Sequence, residues 1–549
     1  MYFEISGDRY RAAAYRRAAE SVGAASGLAR LIDAGQLEQL PHVGVSTARV
    51  IADLARRGNS AVLDQLRQKW PSVVVELARL PYVGTAKARA LYEALAPNNL
   101  DSVAAACRAG AVRGLKGFGE LSESKLLAAI EDHQNHEPRM LHVDAEAQAN
   151  AIATYLRHDP TVVHVEIAGP VRRWFEVVDH FAFAVGCHAP TAVIERFHAY
   201  ARSLSVDQGG DLVHATLADG MRCELYLAPP HRFGWALVRA TGSPEHVEQL
   251  RTRRSDIDTI EAATEADLYR ALELPYPPPE VRDGTDEFAK PYSNLITLAD
   301  VTTAFHCHTT YSDGEDSVLA MAHAAHQMGM RAITVTDHSA AATYAGGLNA
   351  DRLREQAREI AALDAPIQIL HGTEADILAD GSIDVPPDLV RSLDLVIASI
   401  HQRHKLDEDA MTQRLITAMR QPYFKIWGHA LGRFVLRRET IRVRIDEILD
   451  AIAHSPAAIE LNGDPYRLDL DPENAARAAS LGIPFVVSCD AHSTSGLNAM
   501  RWAVALARRA RIPKSQILNA LEPEELAERI APINAVADER ARPRGRVDR

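Results

Sequence analysis

Seven short apolar runs in the C-terminal half of the chain each end in a side chain able to ligate a metal ion. They are TAFHCH (ending at His308), AITVTDH (His338), IQILHGTEAD (Glu374), LVIASIH (His401), FKIWGH (His429), AAIELN (Asn462) and PFVVSCDAH (Asp490 and His492). Amphipathic stretches such as 351–363, 408–420, 441–453 and 472–481 separate many of them. Parallel strands joined by helices close into a barrel, and side chains at the C-terminal strand ends then share one mouth. In a strand, residues i and i+2 point the same way, so His306 is expected beside His308 with Cys307 turned aside, and Asp490 beside His492. Mixed imidazole and carboxylate donors suit Zn, Mn or Fe, whereas an oxygen-only set suits Mg. One such histidine is an ordinary strand-end residue. Seven successive ligand-bearing strand ends are a pattern.

The rest of the 549-residue chain is organised differently. That length exceeds one ordinary core and predicts several domains. Residues 1–135 read as helical and contain three related segments, LPHVGVSTARVIADL (40–54), LPYVGTAKARALYEAL (80–95) and LKGFGELSESKLLAAI (115–130). Each is an apolar residue, a glycine-containing turn and an amphipathic helix. Residues 141–273 turn to β/α character, with HVEIA, HFAFAV, LVHATL and CELYLA as strands. A proline-rich stretch within 274–300 reads as an extended linker, 301–525 as the strand–helix alternation, and 526–549 as a tail whose end, VADERARPRGRVDR, is expected to be disordered.

The net charge of −13 is unevenly spread. Residues 1–132 carry 17 Lys+Arg against 14 Asp+Glu, or +3, and the remainder 43 against 59, or −16. A mildly basic N-terminal region can meet phosphates, while a carboxylate-rich metal site accounts for part of the acidity. No run of about 18 apolar residues and no apolar leader occurs, so neither a membrane span nor secretion is expected. Five scattered cysteines suit a reducing cytoplasm.

HCHTTYSDG, TDHS, GTEADI, SIH, GH and DAHS occur in the order of the motifs of the PHP (polymerase and histidinol phosphatase) family, which the chain resembles over about residues 300–525. The resemblance implies a distorted (β/α)7 barrel and three divalent ions (Zn, Mn or Fe). One would be held by His306, His308, Glu374 and Asp490, a second by Glu374, His401 and His429, and the third by Asp313, His338 and His492. Asp337 would support a ligand histidine, and Arg433 in GHALGRFVLRRE would bind substrate phosphate. Clustered divalent ions make phosphate ester hydrolysis the expected reaction.

Over nearly the whole chain, the order helix-hairpin-helix, nucleotidyltransferase-like α+β palm, PHP barrel resembles the bacterial family X DNA polymerases. EIAGPVRRWFEVVDHFAFAV (166–185) stands where that family's palm begins, and CELYLAPPHRFGWALVRATGSPEH matches the strand and Thr-Gly-Ser turn that follow. An ungapped match puts His180 and Ala182 at two catalytic aspartates and Glu224 at the third. Sliding by one residue gives Asp179 but then Phe181. Alanine cannot ligate and histidine is a poor Mg ligand, so loss of polymerisation is expected. The three N-terminal segments resemble helix-hairpin-helix motifs, which meet DNA phosphates through backbone N–H groups without reading sequence. Gly44, Gly84, Gly117, Gly119 and Lys116 are the expected contacts. Val50 stands where a Schiff-base lysine would be needed, so no lyase activity is expected.

These readings converge on a DNA 3′-end-processing metal phosphoesterase acting at DNA ends or gaps. The alternatives are a phosphatase of the histidinol-phosphate type and a non-catalytic DNA-repair scaffold.

Overall fold

In a computed structural model, residues 1–24, 28–57, 59–135, 138–200, 203–289, 292–403 and 405–532 are described. The chain divides into two compact units, Met1–Pro291 together with Val435–Arg438, and Tyr292–Phe434 together with the chain from Glu439.

The first unit opens with helices. In the three glycine turns, His42, Tyr82 and Gly117 hold equivalent left-handed conformations (φ 60°, 68° and 86°). Only the third turn uses glycine, for which this region carries no Cβ penalty. The same backbone forms at His42 and Tyr82 because flanking apolar residues anchor it: Val43 and Val83 are buried on either side of exposed turn residues. The second and third turns belong to one apolar core, which includes Leu80, Val83, Leu91, Leu126 and Ile130. The first turn packs in another, with Ile32, Leu37, Val43 and Ala55.

Next comes a five-stranded sheet of β1 (Val162–Ile167), β2 (His180–Cys187), β3 (Ser203–Gly209), β4 (Leu212–Leu217) and β5 (Arg222–Ala228), in the order β1-β2-β5-β4-β3. Only β2 and β5 run parallel, and they pair Ala182 with Glu224. Phe181, Phe183, Val213 and Leu225 fill the core on one side of this sheet. The stretch expected to be an extended linker is folded instead. Arg282 and Glu287 are fully buried, Arg282 paired with Glu265, and Glu287 accepting a hydrogen bond from His246 Nδ1 at 2.7 Å. Those partners lie 17 and 41 residues away in sequence, which composition alone does not reveal.

The second unit is a nearly closed barrel of seven parallel strands in sequential order: β6 (Thr303–Cys307), β7 (Ala332–Val335), β8 (Gln368–Asp376), β9 (Leu395–Ser399), β10 (Lys425–Trp427), β11 (Ala457–Asn462) and β12 (Phe485–Ser488). Each lies within one of the seven apolar runs. The seam between last and first strands is bridged by Cys489 N–H donating to the Phe305 carbonyl (3.2 Å) and His308 N–H to the Ala491 carbonyl (2.8 Å). Phe305, Leu370, Ile397, Ile426, Ala458 and Val486 pack its interior with Leu526 and Ile530 from the helix Pro523–Ile530. A Pro at N1 and a buried Leu/Ile pair fold that helix against the barrel, so the start of the expected tail, from 526, belongs to the barrel. Residues 533–549 of that expected tail lie outside the described residues. Among the described residues, no helix is long and apolar enough to cross a membrane.

Candidate metal centre

All nine side chains named from the sequence meet at the C-terminal ends of the barrel strands. Glu374, at the end of β8, is fully buried and stands at the middle. Its Oε2 lies 3.4 Å from His306 Nε2, 3.7 Å from His308 Nε2 and 2.9 Å from His338 Nδ1. Its Oε1 lies 3.3 Å from His401 Nε2 and 2.8 Å from His429 Nε2. Asp490 Oδ1 is 3.8 Å from His306 Nε2 and 3.4 Å from His308 Nε2. Asp313 Oδ1 faces His308 Nδ1 at 3.9 Å, and His338 Nε2 and His492 Nε2 at 3.6 Å each.

Three donor groups have their ligand atoms within 4.8 Å of one another: His306–His308–Asp490, His308–Asp313–His338–His492 and His338–Glu374–His401. His429 joins through its contact with Glu374. His308 and His338 each stand between two groups.

The donors fit cations. Two ligands each about 2.1 Å from one ion at a tetrahedral angle are separated by about 3.4 Å, and most of these nitrogen–oxygen gaps lie close to that spacing. His306 Nε2, both ring nitrogens of His308, and His338 Nδ1 are buried without a hydrogen-bond partner among the described residues. Buried polar atoms left unpaired are costly, and a cation satisfies them together.

The charges favour the same occupant. Burial alone would raise the Glu374 carboxyl, but the His401, His338 and His306 imidazoles hold it well below the usual range. Asp490 is likewise lowered against burial by His306 and His308, and Asp313 is lowered to about 2 against burial by His492, His338 and His308. Burial, with the neighbouring His338, His492 and His306 charges, pushes His308 down to about 4, leaving it neutral and able to ligate.

Local backbone geometry explains the convergence. His306 and His308 face the same donors, with ring centroids 5.1 Å apart, although a register shift falls between Ala304 and Cys307 and His306 takes φ 60°. His429 (φ 26°) and Asp490 (φ 49°) are also left-handed. Non-glycine residues hold such conformations only where surroundings over-determine them, at a cost of about 1–3 kcal/mol each. Here the His306 N–H donates to Thr334 Oγ1 at 3.0 Å, and the His429 N–H donates to Glu460. Gly428 precedes His429 because a Cβ there would lie 2.3 Å from Ser399 Oγ.

Two further residues differ from their expected roles. Asp337 supports no ligand histidine through any hydrogen bond among the described residues. It accepts from Thr309 N (2.8 Å), Thr309 Oγ1 (2.7 Å), Ser312 N (3.1 Å) and Gln356 Nε2 (2.6 Å), and so fixes the loop that carries Asp313. The histidine-orienting carboxylates are Glu460, 2.5 Å from His306 Nδ1, and Asp376, 3.3 Å from His401 Nδ1. The Arg433 guanidinium donates to the carbonyls of Arg467 (2.9 Å) and Leu468. The cation beside the ligands is Arg467, whose Nε lies 3.8 Å from Asp490 Oδ2.

In the first unit, His180, Ala182 and Glu224 lie side by side on the parallel pair β2/β5, at a cleft of about 1050 Å³ lined by Gly169, His180, Glu224, Arg239 and Thr241. His180 Nδ1 is 2.7 Å from Asp179 Oδ1, and Glu224 Oε2 accepts from the Tyr226 hydroxyl at 3.0 Å. Ala182 contributes a methyl group, 3.0 Å from where a Gly169 Cβ would stand. At the helical turns, Gly44, Gly84 and Lys116 are exposed and Gly119 half-buried; Lys87 lies over Phe118 (5.7 Å) and Lys125 over Tyr82 (5.0 Å), joining the second and third turns.

Residues 304–464 match the PHP domain family. A probable phosphatase of Caldanaerobacter subterraneus subsp. tengcongensis is 27% identical over 231 residues, 39% of this chain and 85% of the relative. One from Thermoanaerobacter sp. (strain X514) is 27% identical over 231 residues, covering 88% of that relative. Barrel, donor set and these matches define a PHP-family phosphoesterase or nuclease enzyme. The DNA polymerase/3'-5' exonuclease PolX of Bacillus subtilis (strain 168) is 31% identical over 545 residues, 95% of each chain. The chain therefore belongs to the PolX family, the bacterial family X DNA polymerases with a C-terminal PHP domain.

Proposed function

We propose that this chain is a metal-dependent DNA 3′-end-processing phosphoesterase, a 3′–5′ exonuclease or phosphodiesterase of DNA repair, in which polymerisation has been lost. The observation that carries it is a contrast between two sites of one molecule. Nine metal donors converge in the barrel, while Ala182 stands opposite Glu224 on the β2/β5 pair. A two-ion nucleotidyl transfer centre needs carboxylates at both positions.

In this reading residues 1–135 form the helix-hairpin-helix DNA-binding region, with Gly44, Gly84, Gly117, Gly119 and Lys116 at the phosphates. Residues 141–273 form the degenerate palm, and 301–525 the PHP domain. The barrel donors hold three ions, of Zn, Mn or Fe, which when bound supply Lewis acidity to the phosphoryl group and to water. The chain's own groups organise that chemistry. Glu460 and Asp376 fix the ligating tautomers of His306 and His401, Asp337 fixes the loop of Asp313, and Glu374, facing five histidines, would be shared between ion sites. The enzyme works on DNA ends or gaps in the cytoplasm without sequence preference.

Release of nucleotides from 3′-labelled DNA, compared with phosphate release from histidinol phosphate, separates this function from a small-molecule phosphatase. Nucleotide release is expected to dominate. A metal-free protein that hydrolyses neither would make it a scaffold. Templated dNTP incorporation with Mg or Mn is expected to be absent, and incorporation abolished by Glu224→Ala would overturn the loss of polymerisation.

A further inference from the structure

Arg467 lies on the loop after β11, 15% exposed, with its guanidinium over the Phe434 ring at 4.4 Å. Its Nε is buried and has no hydrogen-bond partner among the described residues; the nearest carboxylate oxygens, Asp464 Oδ2 and Asp490 Oδ2, are 3.5 and 3.8 Å away. A buried donor that makes no hydrogen bond is costly even with carboxylates at ion-pair distance. A planar guanidinium beside metal-ligating carboxylates has the geometry and charge to take two phosphate oxygens. Backbone holds it there: the Arg467 N–H donates to the Asp464 carbonyl at 2.8 Å, and Arg433 grips the Arg467 carbonyl.

Tyr344 also borders the ligands. It is 66% exposed, yet its ring centroid is 6.0 Å from both His338 and His401. Arg467 stands beside Asp490 and Tyr344 beside His338 and His401, so both side chains border the same set of donors. An exposed aromatic ring beside a phosphate site is a platform on which any nucleobase stacks, without sequence preference.

We propose that Arg467 binds the phosphate group undergoing hydrolysis and that Tyr344 stacks the terminal base, so that the site takes a nucleotide end rather than a bare phosphate ester. This rests on the barrel being the hydrolytic centre.

The test uses the full chain reloaded with Mn. Inorganic phosphate binding is measured by calorimetry, metal content by elemental analysis, and kcat and KM on a 3′-labelled oligonucleotide and on bis(p-nitrophenyl) phosphate, a nucleobase-free diester. Arg467→Ala is expected to weaken phosphate binding at least about tenfold while metal content stays at the wild-type value, and Arg467→Lys to recover part of that loss. Tyr344→Ala is expected to lower kcat/KM for the oligonucleotide about tenfold more than for the nucleobase-free diester, with Tyr344→Phe close to wild type. Unaltered phosphate affinity in Arg467→Ala, or metal loss in both Arg467 variants, overturns the assignment of Arg467. Equal losses on both substrates overturn that of Tyr344. Failure of the barrel reading would show separately, as wild-type protein that hydrolyses neither substrate, and the phosphate titration would still report on Arg467.

Discussion

Glu460 is the residue whose replacement most sharply tests how the ligands are held. It is fully buried, and its two oxygens serve different donors: Oε1 faces His306 Nδ1 at 2.5 Å and Oε2 accepts the His429 N–H. The first contact puts the imidazole proton on Nδ1 and leaves Nε2, the atom facing Glu374 and Asp490, free to ligate. In Glu460→Gln one oxygen becomes an NH2 group. Whichever way the amide turns, a donor then faces either His306 Nδ1–H or the His429 N–H. One ligand loses its support although the volume is unchanged. Loss of such an orienting carboxylate costs about 10- to 100-fold in metal affinity, or about 1.4–2.7 kcal/mol. Competition against a chelator of known affinity measures this, with unfolding midpoints recorded alongside to identify a folded variant. A folded Glu460→Gln protein that retains wild-type affinity for all its ions would refute the reasoning.

Other consequences follow from the same geometry. Despite burial, Arg172 and Arg282 hold Glu265 at about 2 against an ordinary 4.5. The folded pKa is the lower one, so the stabilisation is complete above pH 4.5 and disappears as pH falls through about 2. Its size is about 3 kcal/mol; denaturant unfolding of wild type and Glu265→Gln should converge over that window, and a pH-independent difference would contradict it. Against burial, nearby carboxylates raise His306 well above its ordinary value, His401 to about 10 and His492 to about 9. His401 and His492 are therefore protonated at pH 7 without metal, so loading releases protons and affinity falls as pH drops; calorimetry in buffers of different ionisation enthalpy should detect the release, and its absence counts against these ligands. Exposed His42 holds φ 60°, and His42→Gly should stabilise the helical region by about 1 kcal/mol, measured as a raised unfolding midpoint; a lowered one would deny that the turn is strained.

The strand ends were legible because an apolar run stopping at His or Asp carries both a strand signal and a ligand. Position along the chain was enough to locate His306, Glu374, His401 and His492. Glu460 was not, since it sits inside the apolar AAIELN and its partner His306 is 154 residues away; the one signal was a carboxylate two residues before the strand end at Asn462. Asp376, two residues past Glu374, had only its place at the end of β8 as a signal. Arg433 drew attention by following the GH motif, but its guanidinium braces the loop that presents Arg467. The bulge and left-handed backbone at His306 were not legible, since no residue type in TAFHCH announces them. The buried Arg282–Glu265 ion pair and the His246–Glu287 hydrogen bond depend on partners elsewhere in the fold, so proline content alone read that stretch as extended.

Anomalous diffraction from crystals of the Mn-reloaded chain addresses the metal cage itself. The expected result is three peaks, each about 2.0–2.3 Å from its donors: the first between His306, His308, Glu374 and Asp490, the second between Glu374, His401 and His429, and the third between Asp313, His338 and His492. An empty barrel mouth with these histidines paired only to carboxylates, or metal bound only elsewhere on the chain, would contradict it.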